Sequence, residues 1–309
     1  MDRKYDVITL GEILLRLSTP INGRLAQGDT LMKHLGGAEL NIASEIGQLG
    51  LNTAIISKIP NNLLAAFIKN QLNASRVSEN YLIEDRSDDS RIGIYYYEYG
   101  SYPRKPRVVY DRKHSSINNI EISDVPQTLF YNTRLFHTSG ITLGLGGKAQ
   151  DFAIHCIKEF KKQGTLISFD VNYRSNLWTG EEARKCIETI LPYVDIFFCS
   201  EDTARLTFGK TGTINEIQKS FCEEYPISVV ASTERTVITP KKHNFTSIIY
   251  SAKEDTYYRE NPYNNIDVVD RIGSGDAYVS GALYGYLKHG DCQRALEYGN
   301  AMAAIKHSV

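Results

Sequence analysis

The segment Gly273-Ser274-Gly275-Asp276 joins a strand-like apolar run to an amphipathic helical stretch. Glycines allow a tight turn there, and the free amides of a helix start, together with the positive end of the helix dipole, favour a phosphate or a developing oxyanion. Asp276 falls in the first helical turn, where it is either a general base or only the cap that satisfies the free amides. Taken alone, the segment supports capping and catalysis equally.

A second group of polar residues, Asp170, Asn172 and Arg174, follows a strand-like run from residue 166 to 169. Open α/β sheets bind ligands at the carboxyl ends of their strands. A planar guanidinium grips a carboxylate with two parallel hydrogen bonds, so Arg174 suits an acidic ligand. The alternative is a surface arginine paired with a nearby acid, and the flanking Asp170 and Asn172 favour the ligand site.

An earlier glycine pair, Gly36 and Gly37, precedes Asn41. The pair lets the backbone approach a ligand closely, and an asparagine hydrogen-bonds hydroxyl groups. Glycine pairs are also common in ordinary turns. These residues therefore indicate a ligand site only in combination with the later motifs.

Strand-like runs alternate with helical runs along the chain, which predicts a mainly parallel sheet covered by helices. We predict strands over residues 5–10, 13–17, 54–57, 135–138, 166–170, 196–199, 228–231 and 247–250, and helices over 40–49, 148–163, 181–190, 275–289 and 292–307. The stretch 91–113 differs, because it is rich in Tyr and Val and contains Gly100 and Pro103. It predicts a hairpin that projects from the sheet.

The bulk composition is that of a globular protein: 309 residues, 42% hydrophobic and 23% charged. A net charge of −1 provides no global attraction to nucleic acid or to an anionic membrane, so we expect neither as a partner. The five cysteines are scattered and form no C-x-x-C pair, which argues against disulfides and zinc. We see no signal peptide and no run of membrane-spanning length, and we expect a cytoplasmic protein.

Four motifs in order, GGAELN, D-x-N-x-R, Ser-Glu-Asp after a strand, and DRIGSGDA, resemble the PfkB or ribokinase-like family of carbohydrate kinases over essentially the whole chain. The resemblance implies one domain, 1–309, with a three-layer α/β/α fold, a mainly parallel central sheet and a small β-sheet lid formed by about residues 12–35 and 91–115. Relatives usually continue beyond the position of Val309. We therefore expect the usual C-terminal helix to be missing and the adenine pocket to be partly incomplete.

The resemblance also implies roles for particular residues. Asp276 takes the proton of the acceptor hydroxyl, and the amides of Gly273, Ser274 and Gly275 hold the transferring phosphoryl group. The implied sugar contacts are Gly36, Gly37, Asn41, Tyr95, Tyr110, Arg112, Asp170, Asn172 and Arg174. The implied nucleotide contacts are Ser200, Glu201, Thr233, Arg235, Gly273, Gly275, Asn300 and Ala303, with Glu201 holding magnesium through water. Two alternatives stay open: the lid tyrosines simply pack, and residues 231–235 form a solvated turn.

Within the family the motifs are similar to those of the subgroup that phosphorylates 2-dehydro-3-deoxygluconate (KDG). The expected reaction converts KDG into its 6-phosphate with ATP and Mg²⁺, and a monovalent cation is a further expected cofactor. Exposed lids of this family often pair, so we expect a homodimer formed through the lid. The alternatives are a fructokinase, ribokinase or nucleoside kinase of the same family, and a catalytically silent sugar-binding regulatory protein.

Overall fold

Runs rich in β-branched and aromatic residues form most of the strands of this protein, and amphipathic segments form its helices. The computed structural model describes residues 3–100 and 104–309. The strands are β1 Tyr5–Leu10, β2 Leu14–Ser18, β3 Met32–Gly36, β4 Thr53–Pro60, β5 Val77–Ser78, β6 Leu82–Asp85, β7 Gly93–Glu98, β8 Arg107–Asp111, β9 Thr133–Ser139, β10 Leu166–Asp170, β11 Ile196–Phe198, β12 Val229–Thr239, β13 Lys242–Ser251, β14 Thr256–Arg259 and β15 Tyr263–Asp267. The helices are α1 Ala38–Gln48, α2 Leu63–Ala74, α3 Gly140–Leu143, α4 Gly147–Lys162, α5 Gly180–Glu188, α6 Glu201–Phe208, α7 Ile214–Glu224, α8 Ser274–His289 and α9 Cys292–His307.

The larger sheet has the strand order β14-β13-β12-β11-β10-β9-β1-β4-β5, with β15 beside β13 and β6 beside β4. The pairs from β12 across to β5 are parallel, and among the described strands of this sheet only the pairs made by β13 are antiparallel. From β1 the chain first adds β4 on one side of β1, and later it adds β9 on the other side of β1. The order therefore reverses between β1 and β9, which is the position where such sheets bind ligands.

Both faces of this sheet are covered by helices, because successive side chains of each strand point to opposite faces. Along β9, Leu135 packs in the cluster with Ile46 of α1 and Leu283 of α8. The next residue, Phe136, packs in the cluster on the opposite face, where its ring stacks 4.4 Å from that of Phe160 of α4. The predicted three-layer α/β/α arrangement is confirmed.

The second sheet is small and has the order β3-β2-β7-β8. Strands β2 and β7 are parallel, and the outer pairs are antiparallel. The predicted hairpin is formed by β7 and β8, with Tyr95 opposite Tyr110. Pro103, predicted to lie in its connection, is outside the described residues. We call this four-stranded sheet the lid.

Strand β12 is longer than predicted and continues to Thr239. Thr233 pairs with Ser247 and Arg235 with Phe245 of β13, so residues 231–235 belong to a strand and not to a solvated turn. Residues 234–239 of this strand are exposed, so the sequence shows no alternation of buried and exposed positions there by which the strand could be predicted. Among the described residues, no helix is both long and apolar enough to cross a membrane.

Candidate active site

Helix α8 begins in an open turn. Its N-cap, Gly273, has φ 83°, in the left-handed region that glycine adopts at little cost. Gly275 faces empty space, because no heavy atom of its surroundings lies within 4 Å of the position that a Cβ would take. The amide of Ala277 is already used by the carbonyl of Gly273, at 2.8 Å. The amide of Ser274, a predicted phosphoryl contact, is used as well, because it donates to the carbonyl of Arg271 at 3.2 Å. The open side at Gly275 is what remains compatible with the anion site that the sequence predicts.

Asp276 lies in the first turn of α8 and receives a hydrogen bond on Oδ2 from Nδ2 of Asn41, at 2.7 Å. Burial raises the pKa of Asp276 above its ordinary value, while the hydrogen bond from Asn41 and the charge of Arg174 oppose that rise. A raised pKa lies closer to neutral pH, which is the range in which a general base works best. The side chain is thus held by a partner from α1 rather than used as a cap of its own helix.

The second predicted group lies where β10 ends, close to the reversal of strand order between β1 and β9, and consists of Asp170, Asn172 and Arg174. The amide of Asn172 donates to Oδ1 of Asp170 at 3.0 Å, and Asn172 has a positive φ of 35°. Burial raises the pKa of Asp170 to about 7, and the nearby charge of Asp276 adds to this effect. Arg174 is exposed, and one of its terminal nitrogens donates to the carbonyl of Tyr173 at 3.0 Å.

Two cavities meet at these residues. The lid cavity, of about 370 Å³, lies between the lid and the start of α8, and Asp276 is part of its wall. The strand-end cavity, of about 200 Å³, lies beyond the ends of β10, β11 and β12. Four residues line both cavities: Asp170, Asn172, Arg174 and Gly275. A group transferred from one cavity to the other passes Gly275.

Three guanidinium groups face the lid cavity without an acidic partner. Arg174, Arg235 and Arg271 line it, and none of them lies within 4 Å of a carboxylate of residues 3–100 or 104–309. Arg112 also lines the cavity, but its guanidinium is bound to the carboxylate of Glu12. The unpaired arginines give this cavity a capacity for anions that the overall charge of the chain does not predict.

Two buried glutamates of this cavity were not predicted. Glu12 accepts hydrogen bonds from Arg112 and from Oγ of Ser115, the latter at 2.5 Å. Glu39 accepts from Oγ of Ser139 at 2.6 Å and from Oγ1 of Thr142 at 2.8 Å. Burial raises the pKa of both glutamates.

The glycine at position 11 is a weak indication in the sequence that the Glu39 side chain is buried nearby. A Cβ at Gly11 would lie 2.2 Å from the Glu39 carboxylate, so that glycine makes room for the acid.

The predicted sugar contacts mostly converge on the lid cavity, whose wall includes Gly37, Asn41, Tyr95, Tyr110, Arg112, Asp170, Asn172 and Arg174. The rings of Tyr95 and Tyr110 lie 5.8 Å apart, so these residues pack on each other as well as facing the cavity. Gly36 lies behind the wall, where a Cβ would come within 2.7 Å of the Tyr95 hydroxyl. It makes room for Tyr95 rather than for a ligand.

The predicted nucleotide contacts converge less well. Ser200 and Thr233 line the strand-end cavity, whereas Arg235 faces the lid cavity. Ser200 also caps α6, since its Oγ accepts from the amide of Thr203 at 3.3 Å. Glu201 lines neither cavity, and its carboxylate is bound to Arg205 one turn along α6. The expected contact of Glu201 with magnesium therefore has no support in this geometry.

Two further nucleotide contacts need correction. Asn300 and Ala303 are fully buried in α9 and line neither of the two cavities. Asn300 accepts from Oγ of Ser247 at 2.7 Å and donates to Glu260 at 2.8 Å. A buried asparagine whose amide oxygen and nitrogen are both bonded inside the protein serves packing rather than contact with adenine.

The arrangement suits the transfer of an anionic group between two small molecules. A carboxylate of raised pKa lines the lid cavity together with three arginines that lack an acidic partner among the described residues. Gly275, at the start of α8, lies on the wall that this cavity shares with the strand-end cavity. Phosphoryl transfer depends mainly on such positioning and charge stabilisation.

Comparison with known proteins agrees with this chemistry. The family model "pfkB family carbohydrate kinase" matches residues 4–308. The chain is 30% identical to 2-dehydro-3-deoxygalactonokinase of Haloferax volcanii, over 98% of this chain and 91% of that protein. It is 30% identical to ATP-dependent 6-phosphofructokinase of Thermoanaerobacterium thermosaccharolyticum, over 99% and 88%. The crystal structure of 2-dehydro-3-deoxygluconokinase from Thermotoga maritima superposes with a TM-score of 0.92 and 32% identity, over 99% and 94%.

Proposed function

Because this chain belongs to the pfkB family of carbohydrate kinases, we propose that the sugar it phosphorylates with ATP is KDG, which it converts into the 6-phosphate. That the chain is an ATP-dependent sugar kinase follows from the family itself and from relatives that match along its length. The choice of KDG rests on one observation above all. Arg174 presents an unpaired guanidinium to the same cavity as Asp276, and a sugar acid needs such a cation whereas a neutral sugar does not.

In the proposed complex the KDG carboxylate binds Arg174, and the terminal hydroxyl approaches Asp276. Asp276 removes the hydroxyl proton as the oxygen attacks the γ-phosphorus of ATP, and ADP leaves on the opposite side. The amides of Gly273 and Gly275 stabilise the charge of the transferring group, whereas that of Ser274 already donates to the carbonyl of Arg271. A preorganised donor of this kind contributes roughly 100- to 1000-fold in rate. Asn41 keeps the Asp276 carboxylate oriented through its 2.7 Å hydrogen bond.

ATP in this proposal occupies the strand-end cavity, with its γ-phosphate next to Gly275. Mg²⁺ binds oxygen ligands and keeps several waters, so phosphates and one or two carboxylates suffice. The carboxylate facing both cavities is Asp170, and Ser200 and Thr233 add hydroxyls. Asp170 therefore fits Mg²⁺ better than Glu201, which is bound to Arg205. When bound, Mg²⁺ neutralises charge on the phosphates.

The proposal is tested by ADP release across a panel of KDG, its galactonate epimer, fructose, fructose 6-phosphate and ribose. We expect the largest kcat/KM for KDG. Replacing Arg174→Ala should raise KM for KDG about 10- to 100-fold, the cost of a charge-assisted hydrogen-bonded pair, and change KM for ATP less than about threefold. Arg184→Ala, an exposed arginine of α5 paired with Glu188, is the control and should change neither. If Arg174→Ala raised KM for KDG and KM for ATP by the same factor, Arg174 would not be the residue that binds the KDG carboxylate.

A phosphorylated sugar is the second candidate acceptor. Arg235 and Arg271 add two unpaired cations to the lid cavity, more than one carboxylate requires. The relative from Thermoanaerobacterium thermosaccharolyticum is described as a 6-phosphofructokinase and matches equally well in identity. Preferential turnover of fructose 6-phosphate in the panel would favour this candidate over KDG.

Two further parts of the proposal come from the family resemblance. A monovalent cation is expected to support activity, and replacing KCl by tetramethylammonium chloride at equal ionic strength tests it. A homodimer formed through the lid is expected as well, and light scattering coupled to size exclusion measures the mass. A monomeric mass at assay concentration would exclude the dimer.

A further inference from the structure

An ion pair connects the lid to the segment that precedes the start of α8. Arg16, in the middle of β2, donates to Oδ2 of Asp270 at 3.0 Å. The two side chains are only 13% and 12% exposed. Arg16 also donates to the hydroxyl of Tyr99 at 3.2 Å, and its guanidinium lies 4.7 Å from the ring centre of Tyr97. The cation is thus fixed on three sides by the lid and the acid that it binds.

Asp270 in turn shapes the backbone that leads to Gly273. Its Oδ1 accepts from the amide of Ile272 at 2.9 Å, and its carbonyl accepts from Nζ of Lys306 at 3.2 Å. Just before it, the amide of Val269 donates to the carbonyl of His307 at 2.8 Å. Helix α9 therefore holds this segment from behind, while Arg16 holds the carboxylate from the lid.

An apolar contact also connects the lid to the segment before α8. Ile272 packs against the lid cluster of Leu14, Tyr95 and Tyr97. Both contacts fall within the three residues that precede the N-cap Gly273. The position of the amides in the first turn of α8 therefore depends on the lid and not only on the helix.

We propose that Arg16 is a positioning residue, which holds the start of α8 in place through Asp270 so that its amides meet the transferring phosphoryl group. Arg16 touches neither substrate nor nucleotide in this scheme and does not line either cavity. Small displacements near a reacting centre cost about 100-fold in rate. The inference rests on the kinase activity of the family and is independent of which sugar is the acceptor.

The kinetic test compares Arg16→Gln, Asp270→Asn and the double variant, with ATP and whichever sugar of the panel is turned over. Each single variant should lower kcat about 10- to 100-fold and change KM for the sugar less than about threefold. Asn at position 270 keeps an oxygen for the amide of Ile272, so this variant removes the ionic contact while sparing the local turn. The double variant should be no slower than the slower single one, because all three lose the same interaction.

The matched control is Lys58→Gln. Lys58 forms an ion pair with Asp124 at 2.9 Å, with side chains 12% and 22% exposed, away from both cavities. It should lower the melting temperature as much as Arg16→Gln and leave kcat unchanged. A loss of stability in Arg16→Gln with unchanged kcat would make the pair structural only, and a rise in sugar KM with unchanged kcat would place Arg16 in sugar binding. Either result overturns the proposal.

Hydrogen exchange provides a readout that needs no turnover. In Arg16→Gln, a peptide covering residues 270–277 should exchange at least about fivefold faster than in the unmodified protein, while Lys58→Gln leaves it unchanged. Unchanged exchange in Arg16→Gln would show that the lid does not hold this segment, and the proposal would fail even if the acceptor sugar were not KDG.

Discussion

Asp276 has the environment of a base whose proton affinity is set by opposing contacts. Burial raises its pKa, and Asn41 lowers it by donating to the ionised form. Replacing Asn41→Ala removes the lowering contact, so the pKa should rise further. Because the reaction requires the deprotonated form, the acid limb of the kcat/KM profile should move to higher pH.

The measurement is kcat/KM from pH 5 to 9 for both proteins. Relative to the unmodified protein, the Asn41→Ala protein should lose more activity at the acid end of this range than at the alkaline end. An equal loss at every pH would instead mean that Asn41 acts only by contacting the sugar.

The two glycines of the α8 start should respond differently to alanine. Gly275 has room for a methyl group in the free protein, and its φ is not in the left-handed region. Gly275→Ala should therefore fold with little change in melting temperature but lower kcat at least about 100-fold, since the methyl occupies the transfer path.

Gly273→Ala is its counterpart. With φ 83° the alanine should cost about 1 to 2 kcal/mol and lower the melting temperature by several degrees. Thermal denaturation and steady-state kinetics distinguish the pair, and a strongly destabilised Gly275→Ala would contradict the open space described at this glycine.

A buried carboxyl group of α1 is hydrogen-bonded to α8 at the interface between the two helices. Glu45 of α1 accepts a hydrogen bond from Oγ of Ser280 in α8. Burial raises the pKa of Glu45 to about 7, from an ordinary value of 4.5. Since the folded state binds the proton more tightly than the unfolded state, this group lowers stability as the pH rises from about 4.5 to 7, and the loss persists above that range.

Replacing Glu45→Gln keeps an acceptor for Ser280 and removes the charge. The variant should be more stable than the unmodified protein at pH 8, by about 1 to 3 kcal/mol, and nearly equal to it at pH 4.5. Urea unfolding at the two pH values measures the difference. Glu181→Gln, at an exposed position of α5, is the control and should show no such dependence on pH; a pH-independent effect of Glu45→Gln would contradict the assignment.

The elements of the main sheet and its helices were predictable because their apolar residues recur with a clear period. Helix α4 is an example, since its buried residues recur at helical spacing, whereas β9 is recognisable as a short run that is buried on both faces. Strand β3 was not identified as a strand, because its residues are mostly exposed and show no alternation of apolar and polar types. The same applies to the outer half of β12, which is ordered by pairing with β13 rather than by burial.

The sequence motifs predicted residues that the structure brings to one cavity, as it does for Asp276 and Arg174. Contacts between distant parts of the chain were not predictable, and Arg16 with Asp270 is the clearest case. Asn300 shows the opposite error. Its polarity suggested a ligand contact, but only the packing of α9 on β13 shows that its amide is satisfied by Ser247 and Glu260.

The lid and the main sheet are joined through a buried ion pair near the connection from β1 to β2. Glu12, in that connection, binds Arg112 at the end of β8, and their side chains are 3% and 11% exposed. Replacing Arg112→Met leaves a buried carboxyl without its cation. We expect a loss of about 3 to 5 kcal/mol.

The loss should be larger at pH 8 than at pH 5, because the Glu12 pKa is already raised by burial and the protonated form avoids the buried charge. Arg91→Met is the control: Arg91 and Asp111 form an ion pair in the same part of the lid, with side chains 36% and 51% exposed, and its removal should cost less than about 1 kcal/mol. Chemical denaturation of both variants measures these differences. Equal, small losses would mean that the lid is joined to the sheet by apolar packing alone.

The wall common to the two cavities suggests a route to inhibition. Asp170, Asn172, Arg174 and Gly275 face both spaces, so the two spaces adjoin along a common wall. A bisubstrate compound, with a sugar acid joined to adenosine through a polyphosphate, would bind both halves at once. Its second half would bind at the millimolar effective concentration that a short linker supplies, so its affinity should far exceed that of either half.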